Sequence, residues 1–157
     1  RPDTGSSLVT GVPACGLSIE FFFSIHIVCN SVLVGVLFVT QLITFPSFLA
    51  VDSNAFISFH KRYTMNISFI VIPFMIGELF SLIYLNYIDS DLFLSLMILL
   101  VIWLFTFIIL VPIHNKLSLK HNISLINRLI NYNWLRTILW TVKLIILFYF
   151  FYDKVIT

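Results

Sequence analysis

Charged side chains are scarce in this chain of 157 residues. Asp, Glu, Lys and Arg together make up 10% of it, whereas hydrophobic residues make up 60%. A soluble domain of ordinary composition carries about 25% charged and about 45–50% apolar residues. A domain of this length has too little interior to hide so much apolar surface from water. The composition therefore excludes a soluble globular domain and indicates a chain surrounded by lipid.

Cysteines and acidic residues are also few, and their placement excludes several classes of site. Cys15 and Cys29 are the only cysteines and form no Cys-x-x-Cys motif, which argues against a disulfide framework, a zinc ribbon and thiol–disulfide exchange. Glu78 is the only acid inside an apolar stretch, so a di-metal carboxylate site is excluded and no metal is predicted. The net charge of +2 is too small and too scattered to indicate nucleic-acid binding.

Four apolar stretches have the length of about 20 residues that a membrane-spanning helix needs. Lipid cannot satisfy free backbone groups, so these stretches must be helices. We therefore predict an all-α, polytopic membrane four-helix bundle. Its transmembrane domain covers residues 18–157, and a disordered tail precedes it at residues 1–17. The predicted spans are residues 21–45, 64–86, 92–113 and 133–152.

Lys and Arg predict the orientation of the bundle, because loops rich in these residues stay on the cytoplasmic side. They cluster in the connection between spans one and two and in that between spans three and four, and both connections lie on one side. This places the two connections in the cytoplasm and both termini outside. The basic residues of the two connections are Lys61, Arg62, Lys116, Lys120 and Arg128.

Both basic connections contain helix-start signals. Asp52 or Ser53 can cap a helix that begins near Asn54 and continues into span two. Asn122 can cap a second helix, on which apolar residues from Leu125 to Ile130 fall on one face. That pattern predicts a short interfacial helix before the fourth span.

Polar residues within the spans are costly in lipid, and helical spacing places them on one face of each span. One layer, toward the outer side, contains His26, Asn30, Glu78 and Lys143. We predict that Glu78 and Lys143 pair, because a pair avoids two uncompensated charges. The layer is interpreted as a structural ion pair or as a proton-handling or ligand-anchoring site. The alternative is that Lys143 extends outward to the interface and forms no pair.

A second polar layer lies at the cytoplasmic end. Its candidate ligand-binding residues are Gln41, His60, Tyr63, His114, Asn133 and Arg136. Two histidines, a tyrosine and an arginine at one depth suit anion binding or acid–base chemistry. Ordinary interfacial anchoring is the alternative, since Tyr, Trp and Arg favour that boundary. No cofactor is predicted; haem held between His60 and His114 is a remote alternative.

Several short motifs resemble those of an uncharacterised family of bacterial four-span integral membrane proteins, with a distant similarity to anthrone-oxygenase-like membrane proteins. The resemblance covers roughly residues 34–143. It implies the four-span fold, a bacterial cytoplasmic membrane as the location and a set of signature positions, and it implies no reaction. Phe45 stands where the pattern expects Tyr, which removes a hydroxyl. The matching pieces are Gln41 with Phe45-Pro46-Ser47-Phe48, Phe59-His60 with Tyr63, Pro73 with Met75 and Glu78, Pro112 with His114, and Asn133-Trp134-Leu135-Arg136-Thr137 with Trp140.

Three functions are compatible with these patterns. The first is an intramembrane site for an amphipathic small molecule or lipid at the cytoplasmic end, where Arg136 supplies a fixed charge and His60 or His114 a titrating group. Whether acid–base chemistry accompanies binding stays open. The second is a structural or accessory subunit of a larger membrane complex or homo-oligomer, in which the polar residues only specify helix packing. The third is a proton or small-solute transporter, which would need water to reach Glu78.

Overall fold

The computed structural model describes residues 14–156, and this part of the chain is helical, with short connections and no strand. Residues 1–13, most of the expected tail, lie outside the described residues. The first helix begins at Ala14 and so includes the last four residues of the expected tail. In chain order the elements are α1 (Ala14–Val39), a π-helical turn here called π turn one (Thr40–Thr44), α2 (Phe45–Ser47), α3 (Ser53–Ile88), a 3-10 turn (Ser90–Leu92), α4 (Phe93–Phe105), π turn two (Thr106–Leu110), α5 (Val111–Leu117) and α6 (Ile123–Ile156).

Four stretches of the described chain are long and apolar enough to cross a membrane, which confirms the predicted all-helical four-span bundle. Each predicted span lies largely within one of these stretches, although the helices extend further than the apolar runs alone. The four spans are Ile19–Ser47, Ser53–Ile88, Ser90–Leu117 and Ile123–Phe150. Large apolar side chains cover the outside of the bundle: Phe69 is 86% exposed and Ile108 is 68% exposed. Such a surface suits hydrocarbon as its solvent.

The predicted cap of span two is confirmed at Asp52, whose carboxylate accepts from the backbone N–H of Asn54 at 2.8 Å. Helix α3 then runs for 36 residues without interruption. At about 1.5 Å per residue it is about 54 Å long, well beyond the roughly 30 Å of a hydrocarbon core. Part of α3 therefore projects past the membrane on at least one side.

The predicted short interfacial helix before span four is not a separate element, and that expectation was wrong. Asn122 does cap a helix, since its side chain accepts from the backbone N–H of Leu125 at 3.2 Å. That helix is the beginning of α6, which continues through span four. No Gly or Pro interrupts it. Its apolar face packs against protein, because Ile126 and Leu129 are fully buried in a core cluster.

The core has two parts along the bundle. We call the end that carries the 3-10 turn Ser90–Leu92 the turn end, and the opposite end, with the basic connections, the basic end. A cluster with Leu82, Leu99 and Leu147 fills the half nearer the turn end. A second cluster, rich in phenylalanine and including Phe48 and Phe56, fills the basic end. The polar side chains described below lie among these two clusters.

The two π-helical turns have the same origin in the sequence. Each begins at a threonine, and each is followed by a proline, Pro46 or Pro112, six residues after that threonine. Proline has no N–H to donate and its ring crowds the carbonyl four residues earlier. The backbone N–H of Phe45 instead reaches Thr40, and that of Val111 reaches Thr106, so each bond spans five residues. Such π turns interrupt the regular helix and often lie at functional sites.

Candidate ligand cavity and buried polar network

Glu78 and Lys143 form an ion pair in the middle of the bundle, with both side chains fully buried. The predicted pairing is confirmed, and the alternative in which Lys143 extends outward is wrong. The indole N–H of Trp140 donates to both carboxylate oxygens of Glu78, at 3.0 and 3.2 Å. The carboxylate thus has donors from two positions on α6, one helical turn apart.

His26 lies next to this pair, whereas Asn30 is buried without a hydrogen bond to it. His26 Nδ1 is 3.2 Å from the Ser81 hydroxyl, and that hydroxyl donates to the Glu78 carbonyl at 3.0 Å. Among the described residues, His26 Nε2 and both polar atoms of the Asn30 amide have no hydrogen-bond partner. The expected outer layer is therefore one network of Glu78, Lys143 and His26, with Asn30 buried but unbonded. Ser81, one turn after Glu78, was not expected.

The two histidines of the second layer bind each other. His60 Nε2 and His114 Nδ1 are 3.1 Å apart, and His60 Nδ1 is 3.1 Å from the Ser118 hydroxyl. That hydroxyl donates its single hydrogen to the His114 carbonyl at 3.0 Å. With both rings neutral, His60 therefore donates from Nδ1 to Ser118, and His114 donates from Nδ1 to His60.

These bonds leave His114 Nε2 without a hydrogen, so this nitrogen can accept a hydrogen bond. It takes part in no hydrogen bond among the described residues, and His114 is only half-buried. His60, by contrast, is fully buried and has both ring nitrogens engaged. The two histidines considered as haem ligands thus contact each other directly, through one ring nitrogen of each. Nothing in the sequence singled out Ser118, except that it lies one turn after His114.

Hydrogen bonds of Gln41 and Asn133 connect the first span with the fourth. The Asn133 side-chain amide donates to the Gln41 side-chain oxygen at 2.8 Å, and the Gln41 amide donates to the Ile130 carbonyl at 3.0 Å. Both side chains are almost fully buried. Gln41 therefore positions Asn133 rather than facing the cavity described next.

A cavity of about 470 Å³ lies between the spans, beside this second layer. Its volume is within the range of about 300–1,000 Å³ typical of small-molecule sites. Four of the six predicted candidates line it, namely Tyr63, His114, Asn133 and Arg136, while Gln41 and His60 lie behind them. The first residues of the two π turns, Thr40 and Thr106, also line the cavity, as does Trp103.

The lining of the cavity is more polar toward the basic end than toward the middle of the bundle. Most of its polar residues, including Tyr63 and His114, lie toward the basic end. Along α3 the lining continues from Tyr63 to Ile76, about 20 Å at 1.5 Å per residue. Toward Ile76 the wall on α3 becomes aliphatic, with Met75 facing in. This is the pattern expected for a molecule with a polar head and an apolar tail.

The cavity reaches the outer surface of the bundle between spans two and three. Ile72 and Ile76 of α3 and Phe107 of π turn two line it, and each is between 43% and 56% exposed. No Cα atom of α3 lies within 8 Å of a Cα atom of π turn two, although α3 approaches both α4 and α5. The two spans thus separate at the level of π turn two and close again above and below it. We call this opening the side window.

Arg136 lines the cavity, and its guanidinium has no hydrogen-bond acceptor among the described residues. Its central carbon lies 5.0 Å from the centroid of the Trp140 ring, a cation–π contact. None of its N–H groups donates a hydrogen bond to a described residue, and Nε is buried with no partner. Trp140 therefore links the two layers, because its face contacts Arg136 while its N–H donates to Glu78.

The chain matches no protein-family model, no curated protein and no solved structure. The resemblance to bacterial four-span proteins therefore stays a prediction from the sequence motifs. The function proposed below rests on the geometry of the cavity.

Proposed function

We propose that this protein binds an amphipathic small molecule or a lipid inside the membrane, with the polar head of the ligand near Tyr63, His114 and Arg136. The observation that carries this proposal is the cavity, which is more polar toward the basic end, more apolar toward the middle and open at the side window. A structural subunit whose polar residues only fixed helix packing would have no need of such a space.

The direction of the cavity matches the orientation of a lipid. Its polar end lies toward the basic end of the bundle, and its apolar end lies toward the middle. A lipid in the leaflet at the basic end has its head at the same side and its tail pointing inward. An amphiphile could therefore enter through the side window without inverting, and its tail would leave one apolar environment for another.

We further propose that the membrane is a bacterial cytoplasmic membrane with the basic end inside. Lys61, Arg62, Lys116 and Lys120 support this orientation, because all four are at least partly exposed near that end. The ligand would then come from the cytoplasmic leaflet or from the cytoplasm.

The bare Nε2 of His114 gives the site a proton acceptor. A hydroxyl on the ligand would donate to it, and any acid–base chemistry would begin with transfer of that proton to His114. His60 and Ser118 hold the ring in the tautomer that this role requires. Arg136, nearby in the cavity wall, would stabilise negative charge left on the ligand oxygen.

The experiment blocks the side window with a larger side chain and measures how much ligand the purified protein retains. In Ile76→Trp the larger side chain would occupy the rim of the cavity. Ile83→Trp is the matched control, because Ile83 lies two turns further along α3, is similarly exposed at 47% and does not line the cavity. Each protein is purified in detergent, incubated with oleic acid or oleyl alcohol, and examined by native mass spectrometry.

We expect wild type and Ile83→Trp to retain one molecule of at least one probe, and Ile76→Trp to lose it. The reason is steric, since indole fills space that the tail would occupy. Equal retention by Ile76→Trp and Ile83→Trp would contradict the proposal, and so would the absence of retention in wild type.

A further inference from the structure

The cavity wall carries one positive charge that no carboxylate in the wall neutralises. Among the ionic side chains inside the bundle, Lys143 and Glu78 neutralise each other in an ion pair. Arg136 then remains as a positive charge with no carboxylate beside it. A charge at this depth is costly unless a counter-charge or a set of hydrogen bonds accompanies it.

The protein does not supply that counter-charge from the cavity wall. The lining contains no Asp or Glu; its polar side chains are hydroxyl groups, amides, His114 and the indole of Trp103. A counter-charge for Arg136 would therefore have to come from a molecule bound in the cavity.

A guanidinium whose N–H groups have no protein acceptor favours a ligand group that accepts hydrogen bonds and carries negative charge. The guanidinium presents a planar fork of N–H groups that matches a carboxylate or a phosphate. Its central carbon lies over the Trp140 ring, which locates the guanidinium beside that face. A cationic head group would be repelled by Arg136, and a neutral one would leave the charge uncompensated.

We infer that the ligand is an anionic amphiphile, whose carboxylate or phosphate binds Arg136 while its tail lies along Val71, Met75 and Trp103. This inference rests on the proposed function and adds the charge of the head group. A fatty acid and a lysophospholipid would share the chemistry, and the experiment separates them.

The test compares three probes with the same oleoyl or oleyl chain: oleic acid, oleoyl lysophosphatidic acid and the neutral oleyl alcohol. Retention by the detergent-solubilised protein is titrated by native mass spectrometry. We expect wild type to bind at least one of the two anions about tenfold to a hundredfold more tightly than the alcohol. That range corresponds to a hydrogen bond with a charged group, worth about 1.5–3 kcal/mol. The anion with the higher affinity identifies the head group as carboxylate or phosphate.

Variants then assign the preference to one residue. Arg136→Gln should lose the preference for the anion while it still binds the alcohol, and that binding shows that the cavity is intact. Arg136→Lys should keep a preference, because it keeps the charge. Arg128→Gln is the control, since Arg128 lies on the same helix, is exposed and is remote from the cavity lining.

The outcomes separate the two proposals. If wild type binds none of the three probes, the proposed function fails. If wild type binds the alcohol as tightly as the anions, or if Arg136→Gln keeps the preference, the inference about charge fails while the binding function stands. If Arg136→Gln does not fold, the wild-type preference and its retention in Arg136→Lys decide the matter.

Discussion

Replacing Lys143 with Met would leave the Glu78 carboxylate buried with the Trp140 indole as its remaining donor. Both members of the pair are fully buried, so water cannot take the place of the lost ammonium group. Removing one partner of a buried ion pair costs about 3–5 kcal/mol. We expect Lys143→Met to lower the free energy of unfolding by that amount, measured by equilibrium unfolding in mixed micelles with increasing denaturing detergent.

Two further variants separate charge from packing. In the double variant Glu78→Gln with Lys143→Met neither position carries a charge, and the side-chain amide oxygen introduced at position 78 can still accept from Trp140. We expect it to recover about 2 kcal/mol or more of the loss, because replacing a buried pair by neutral groups is often nearly neutral. Lys61→Met is the control on an exposed lysine and should change stability by less than about 0.5 kcal/mol.

Either of two results would refute this reasoning. If Lys143→Met were as stable as Lys61→Met, the pair would not be held away from water. If the double variant were no more stable than Lys143→Met, the loss would come from packing of the lysine chain and not from an uncompensated carboxylate.

Two other predictions concern packing between spans. Gln41→Leu removes the hydrogen bond to the Ile130 carbonyl and should lower the stability by about 1–3 kcal/mol in the same unfolding assay; a change below about 0.5 kcal/mol would contradict a buried bridge. Gly35→Ala should raise the stability by about 0.5–1 kcal/mol, since alanine is the better helix former and a Cβ there meets nothing within 4 Å. Gly77→Ala should gain less, because its Cβ would lie 3.2 Å from the Cys29 sulfur, and adding Cys29→Ala should restore the gain. Equal gains at both glycines would show that spans one and two are not in close contact.

Much of the candidate site could be anticipated from the chemistry of single residues. Charges within apolar runs are so few that Glu78 and Lys143 could be predicted to pair, and helical spacing placed the two residues at similar depth. Tyr63, His114, Asn133 and Arg136 were grouped by the same argument of depth. Spacing alone could not tell which of the grouped side chains line a cavity and which support it, so Gln41 and His60 were not distinguished from the others.

The sequence by itself determined the four helices, because hydrocarbon leaves the backbone no other way to satisfy its hydrogen bonds, and each helix forms those bonds locally. It also indicated a helix start capped by Asp52 or Ser53, because a cap depends on neighbours in the chain. Only the tertiary structure decided that α6 runs unbroken, that His60 turns toward His114 and Ser118, and that spans two and three separate at π turn two. These features depend on how closely the surfaces of different helices approach, and that distance is set by many side chains far apart in the sequence.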